Sequence, residues 1–273
     1  MFWKRAVSCA ILIPIVIFAV QWSDPRLYFA LVIGVTFLML VEFSRLCKSI
    51  GMTEIRVAVV ASGILFCASA LIDRLAVEFV LALTLFLAFA FQILHRQINS
   101  AFMAITTTIT GAVYIGWMFG YHLILLRKLN ASLGESVGSE LILFLVVVTW
   151  CGDTAAYILG RWLGKHKLIP QISPGKTVEG TIAGLCIGAI GGLVIWHLLL
   201  EEMFGPVHAL GLGILLGIVS QISDLSESIV KRTADAKDSG TLIPGHGGFL
   251  DRCDSLIFSA PTLYYYFQYA IHA

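Results

Sequence analysis

Nine apolar runs dominate this chain, each long enough to cross the roughly 30 Å hydrocarbon layer of a bilayer as a helix rising about 1.5 Å per residue. They fall near residues 6–22, 27–46, 56–72, 75–95, 101–126, 140–163, 178–200, 207–230 and 255–271. Lipid offers the backbone no hydrogen bonds, so runs of this length must be helical. The chain is 58% apolar and only 13% charged, against roughly 25% charged for a soluble domain. These features predict an all-α polytopic membrane protein with about nine transmembrane helices. The first run follows Lys4 and Arg5 but ends in Gln21, Trp22, Ser23 and Asp24, which offer no small-x-small cleavage site; it reads as a retained span rather than a signal peptide.

Charge placement orients the layout. With the N-terminus cytoplasmic, only Arg26, Arg74, Arg127 and Lys128 of the 18 Lys and Arg residues lie on the far side. That asymmetry obeys the positive-inside rule and puts loops 164–177 and 231–254 on the cytoplasmic face. No repeat and no Pro- or Ser-rich linker divides the chain, so it reads as a single membrane domain, 1–273. Within it, 1–139 forms scaffold helices and 140–273 carries nearly all the chemistry-bearing residues. Glu42 is the exception in the first half, with a snorkelling carboxylate at least as good a reading as a functional one. The six cysteines lack paired spacing and read as small hydrophobes. Nothing in the charge pattern calls for a nucleic-acid partner.

Asp153 lies inside an apolar run, with Tyr157 and Arg161 at i+4 and i+8 on the same helical face. Such an acid either fixes helix packing or binds substrate or metal; intramembrane acids favour the second. The loop GKHKLIPQISPGKT, residues 164–177, resembles a phosphate-binding P-loop only at its end, because Pro170 stands where that motif needs glycine. Ser173 as N-cap with Pro174 at the first helical position would aim unpaired N–H groups at the cytoplasm beside Lys176, which suits either an anionic ligand or lipid headgroups. Glycines 180, 184, 188 and 192 form a small-residue ladder for close helix packing, suitable also as a homodimer face.

The densest polar stretch runs from Ser228 to Asp254. Just before and within it, Asp224, Glu227, Ser228 and Lys231 recur at i, i+3, i+4 and i+7 along one helical stripe. Pro244, Gly245, His246, Gly247 and Gly248 then form a loop whose glycines let backbone approach a ligand, and Asp251, Arg252 and Asp254 open the last run. Carboxylate oxygens suit Mg²⁺, which bridges to substrate phosphates, and Lys231, Arg232, Lys237 and Arg252 can neutralise the remaining phosphate oxygens. One or two divalent ions, with a monovalent ion besides, would be compatible with the set. The pattern points to phosphoryl or nucleotidyl transfer over an ion relay, which would not need the glycine loop.

Ser228, Lys231, Arg232, Lys237, Asp238, Pro244, His246, Gly247, Gly248, Asp251, Arg252 and Asp254, in the order S-x-x-K-R-x4-K-D-x-G-x3-P-x-H-G-G-x-x-D-R-x-D, resemble the signature of the phosphatidate cytidylyltransferase family. Asp153, Tyr157 and Arg161, and the segment Ser173, Pro174, Lys176, Thr177, Glu179 and Gly180, resemble it too, with Gly175 standing where many members carry a basic residue. The resemblance implies that CTP and phosphatidate give CDP-diacylglycerol and pyrophosphate with Mg²⁺, at the cytoplasmic side of a bacterial inner membrane, in phospholipid biosynthesis. It implies Asp224 and Asp251 as metal ligands with Glu227 and Asp254 near them, Lys231, Arg232, Lys237, Asp238 and Arg252 in the catalytic set, and the upstream residues with Ser228, Gly247 and Gly248 in substrate binding. His246 fits phosphate binding or loop structure better than proton abstraction. The alternatives are another CTP-dependent lipid enzyme, such as a polyprenol kinase or a CDP-archaeol synthase, or an ion-coupled transporter; the D-G-x-x-A-R motif of CDP-alcohol phosphotransferases is absent.

Overall fold

The computed structural model describes residues 14–22, 24–51, 56–95, 98–133, 136–242 and 247–272. Residues 14–21 are helical (α1), followed by α2 (Pro25–Ser49), α3 (Arg56–Leu71), α4 (Val77–His95), α5 (Ile98–Gly111), a π-helical stretch (Ala112–Tyr121), α6 (His122–Leu133) and α7 (Val137–Leu163). A hairpin of β1 (Lys167–Ile169) and β2 (Ser173–Thr177) leads into α8 (Val178–Ile195), which continues as a π-turn to Leu200. Then come α9 (Pro206–Thr233) and α10 (Leu250–Tyr266), which continues as a π-turn to Ile271. Each run predicted to be a span holds a helix among its described residues, with ends that differ by several residues in places. Among the described residues six helices are long and apolar enough to cross a membrane: Pro25–Ser49, Val77–Leu94, Ser100–Leu133, Val137–Leu163, Val178–Leu200 and Pro206–Thr233. The chain is therefore a multi-pass membrane protein.

One expectation needs correction, the start of α8. Between the helices, Lys167 pairs with Thr177 and Ile169 with Ser173 in a short antiparallel hairpin. Ser173 consequently does not cap a helix. Pairing with β1 keeps residues 173–177 extended, which postpones the start of α8 by four residues. Thr177, at φ −128° and ψ 152°, caps it instead by accepting from the Gly180 N–H at 3.2 Å. Glu179 then ties the hairpin's entrance down, accepting from the backbone N–H groups of Lys165 (3.1 Å) and His166 (3.2 Å) and meeting His166 Nδ1 at 2.7 Å.

Two compact units make up the chain, one of residues 1–125 and 230–253, the other of 126–229 and 254–273. In the first, Phe66, Val80 and Ala112 form a buried cluster covered by Leu65, Leu75, Val77, Trp117 and Tyr121. The π-helical stretch presses against α3 so closely that a Cβ at Gly116 would stand 2.5 Å from the Gly63 Cα. Its wide turns end where His122 Nδ1 meets the Trp117 carbonyl at 2.8 Å, an i−5 contact.

In the second unit the glycine ladder of α8 packs along α7. A Cβ at Gly180 would lie 2.6 Å from the Ala156 carbonyl, at Gly184 2.7 Å from that of Gly152, and at Gly188 2.8 Å from that of Val148. This face, legible in sequence as a small-residue stripe, is filled within the unit. Without a hydrophobic drive between helices in lipid, such close backbone approach is a main source of cohesion. Gly184→Val is expected to lower the thermal midpoint in detergent, with an overpacking penalty of about 1–3 kcal/mol. Gly34→Ala, at a position with open space around it, is expected to leave the midpoint unchanged or raised.

Candidate active site

In the second unit, α7, β2 and α9 enclose a cavity of about 630 Å³, within the range of small-molecule sites. The helical spacing of Asp153, Tyr157 and Arg161 has the expected outcome, since all three line it. Tyr157 is 61% exposed, so its ring lies open beside the cavity rather than packed in a core. Ser173, Lys176 and Thr177 enter from the hairpin, and Gln221 and Asp224 from α9.

A continuous polar chain crosses this cavity. Lys176 Nζ lies 2.8 Å from Asp224 Oδ2, with only 17% and 26% of the two side chains exposed, and donates to Gln221 Oε1 at 3.1 Å. Gln221 Nε2 donates to Asp153 Oδ1 at 3.3 Å, and Ser255 Oγ donates to Asp153 Oδ2 at 2.6 Å. The amide orientation of Gln221 follows from its partners, a cation on one side and a carboxylate on the other. Ser223 Oγ joins α9 to α10 by donating to the Asp254 carbonyl and accepting from Phe258 N. Asp254 lies within Coulombic reach of Asp224, Glu227 and Asp153, and Glu227 is fully buried. Lys176 thus pairs with Asp224 and lies within Coulombic reach of Asp153, while Glu227 and Asp254 neighbour these acids. Arg161 and Lys167 line the same cavity, which supplies further positive charge where an anion would enter.

The first unit holds a separate cluster. Lys231 Nζ pairs with Asp251 Oδ1 at 2.7 Å, with 12% and 6% of the side chains exposed. Asp251 Oδ2 accepts from the backbone N–H groups of Ser239 and Gly248 and from Ser239 Oγ, each at 2.8 Å. Burial pushes the Asp251 carboxyl up, but the Lys231 ammonium together with these N–H and hydroxyl donors outweighs it and holds the group below its ordinary value. Gly247 has φ +86°, in the left-handed region, and a Cβ there would stand 2.6 Å from Asp251 Oδ2. Gly247 and Gly248 therefore lie tightly against this carboxylate.

The other expected residues are placed less centrally. Lys237, Asp238 and Arg252 are exposed, Arg232 Nη1 donates to the Ala236 carbonyl at 3.0 Å, and Ser228 is buried in α9. His246 lies outside the described residues. Gln221, Ser239, Ser255 and Lys167 were not among the expected site residues. Gln221, three residues before Asp224 on the same stripe, could have been read from spacing; the other three become partners only through tertiary contact. Lys231→Met leaves a buried carboxylate without its ammonium and is expected to cost about 3–5 kcal/mol in unfolding stability. Lys231→Arg should lose much less, as judged by denaturation in detergent.

The Cytidylyltransferase family model matches residues 3–270. The phosphatidate cytidylyltransferase of Bacillus subtilis (strain 168) is 42% identical over 154 residues, covering 56% of this chain and 55% of the relative. That of Synechocystis sp. is 49% identical over 121 residues, covering 43% and 39%. The uncharacterized protein YnbB of Escherichia coli (strain K12) is 43% identical over 135 residues, covering 50% and 45%. The chain spans about half the length of the curated relatives it matches. Since the family model extends over nearly the whole sequence, both scaffold helices and signature included, the chain belongs to the Cytidylyltransferase family.

Proposed function

We propose that the protein is a phosphatidate cytidylyltransferase, joining CTP and phosphatidate into CDP-diacylglycerol with release of pyrophosphate. The observation that carries this is the cavity wall where Lys176 meets Asp224 while Arg161 and Lys167 stand beside it. Such a wall takes an anion and also has carboxylates for a cation that would accompany it. Relatives with that printed name share about 40–50% identity over the matched stretch.

The chemistry asks little of a general base. A phosphomonoester has a second pKa of about 6 and is largely dianionic at neutral pH. A phosphatidate oxygen attacks the α-phosphorus of CTP, a new P–O bond forms, and the bond to the β-phosphate oxygen breaks as pyrophosphate leaves. Catalysis then rests on alignment and on neutralising charge. Arg161, Lys167 and Lys176 supply cations at the cavity, while the buried Lys231–Asp251 pair and the exposed Lys237, Asp238 and Arg252 belong to the signature's contribution. His246 would serve phosphate binding.

Among the described residues no three His, Cys, Asp or Glu side chains converge as a ready metal site. The donor chemistry nonetheless suits a hard cation, because Asp153, Asp224 and Glu227 all lie within Coulombic reach of Asp254 and offer carboxylate oxygens. Asp224, Glu227 and Asp254 would hold Mg²⁺, which when bound would offset charge on the triphosphate. Asp251, its oxygens engaged by Lys231, Ser239 and Gly248, is better suited to holding the signature loop in place than to direct ligation. In this reading the N-terminus is cytoplasmic, about nine helices span a bacterial inner membrane, and the cavity opens to the cytoplasm. CTP arrives from solution, and phosphatidate stays in the leaflet.

Purified protein with Mg²⁺ is expected to release pyrophosphate from CTP and place CMP on lipid only when phosphatidate is added. CTP consumption with a polyprenol instead would establish the kinase alternative and refute this reading. Asp224→Asn and Asp251→Asn are each expected to lower kcat by on the order of 10²-fold or more while the protein still inserts in the membrane. Near-wild-type turnover in Asp224→Asn would remove that residue from the site.

A further inference from the structure

Glu42 is an acid of the scaffold half that the proposed reaction leaves unused, and it is 0% exposed. It does not snorkel. From α2 its carboxylate reaches the signature segment, more than 190 residues away along the chain. Oε1 accepts from the Phe249 N–H at 3.0 Å, and Oε2 from the Leu250 N–H at 2.9 Å. Ser239 Oγ lies 3.1 Å from the same Oε2 and 2.8 Å from Asp251 Oδ2, so its single hydrogen is shared between the two acids.

Two glycines of the signature make room for this carboxylate. A Cβ at Gly240 would stand 2.8 Å from Glu42 Oε1, and one at Gly248 would collide with Glu42 Oε2 and with Ser239 Oγ. Phe249 and Leu250 stand at the start of α10, where N–H groups have no partner within the helix. A buried carboxylate accepting from them forms charge-assisted hydrogen bonds and favours the positive end of the helix. Both sides of the loop are thereby tied to one point on α2, Ser239 before it and Phe249 and Leu250 after it.

We infer that Glu42 is a positioning residue for the signature segment: its carboxylate anchors Ser239 and the first turn of α10, and through them holds the Lys231–Asp251 pair in register. The anchoring stands on geometry alone, while its catalytic consequence rests on the function proposed above. Glu42→Gln is the discriminating variant, since it keeps shape and volume. Both oxygens of Glu42 face a backbone N–H, so either orientation of the glutamine amide sets its NH₂ against one of them.

The test uses full-length protein in detergent, with hydrogen exchange read by mass spectrometry beside steady-state kinetics. In Glu42→Gln, exchange in peptides containing Phe249 and Leu250 is expected to rise on the order of ten-fold, with peptides from α8 unchanged. Below the onset of melting, kcat should fall by roughly ten- to a hundred-fold with KM for CTP little altered. Glu42→Asp, which keeps two acceptor oxygens, should recover part of kcat. Ser239→Ala, which spares both backbone contacts, should give a smaller rise in exchange. Wild-type exchange at Phe249 and Leu250 in Glu42→Gln overturns the anchoring, and wild-type kcat alongside accelerated exchange overturns the catalytic consequence. If the wild-type protein consumes no CTP with phosphatidate, the proposed function fails while the exchange data still decide the role of Glu42.

Discussion

A carboxylate removed from water must find compensation, and in a chain that is 13% charged such compensation is scarce. Four of its acids meet the demand differently. Asp251 has an ammonium and three further donors. Asp153 has only neutral donors, from Gln221 and Ser255. Glu42 relies on backbone N–H groups and one hydroxyl. Asp224 takes Lys176, which is also held by Gln221. The last arrangement is the most readily exchanged, because a lysine at a cavity wall can turn to a phosphate as easily as to a carboxylate. That difference separates a group suited to meeting substrate from groups suited to holding structure.

Glycine is the other half of the design, and it acts by leaving space. Along α8 it lets two helix backbones touch, which fixes the separation of α7 from α8 and hence the width of the cavity wall between Asp153 and Lys176. In the signature it admits carboxylates. Gly247 closes on Asp251, and Gly240 and Gly248 close on Glu42. In sequence the signature glycines suit backbone approach toward a ligand. Among the described residues, Gly240, Gly247 and Gly248 also lie close to the protein's own acids.

Much of the site was legible because helical periodicity is strict. Asp153, Tyr157 and Arg161 share a face whatever surrounds them, and all three line the cavity. Lys176 was legible from its local charge. The cap of α8 was not, because Ser173-Pro174 is as good a helix start as Thr177, and only pairing with Lys167–Ile169 decides between them. Glu42 stays open between a snorkelling and a functional carboxylate for a related reason. Near the end of an apolar run a carboxylate can reach water, and nothing local reveals that a loop some 200 residues later will cover it.

The sequence by itself determined that this chain is helical and crosses a membrane, because the bilayer leaves an apolar backbone no other choice. It also determined which family the chain resembles and which acids and cations lie on common helical faces, since both depend on spacing alone. Only the tertiary structure decided who meets whom. It paired Lys176 with Asp224 and Lys231 with Asp251, made Gln221 and Ser255 the partners of Asp153, and brought Glu42 to the start of the last helix. The physical reason is that hydrogen bonds and ion pairs act over about 3 Å, and no sequence separation predicts which distant groups will come within that reach once the helices have packed.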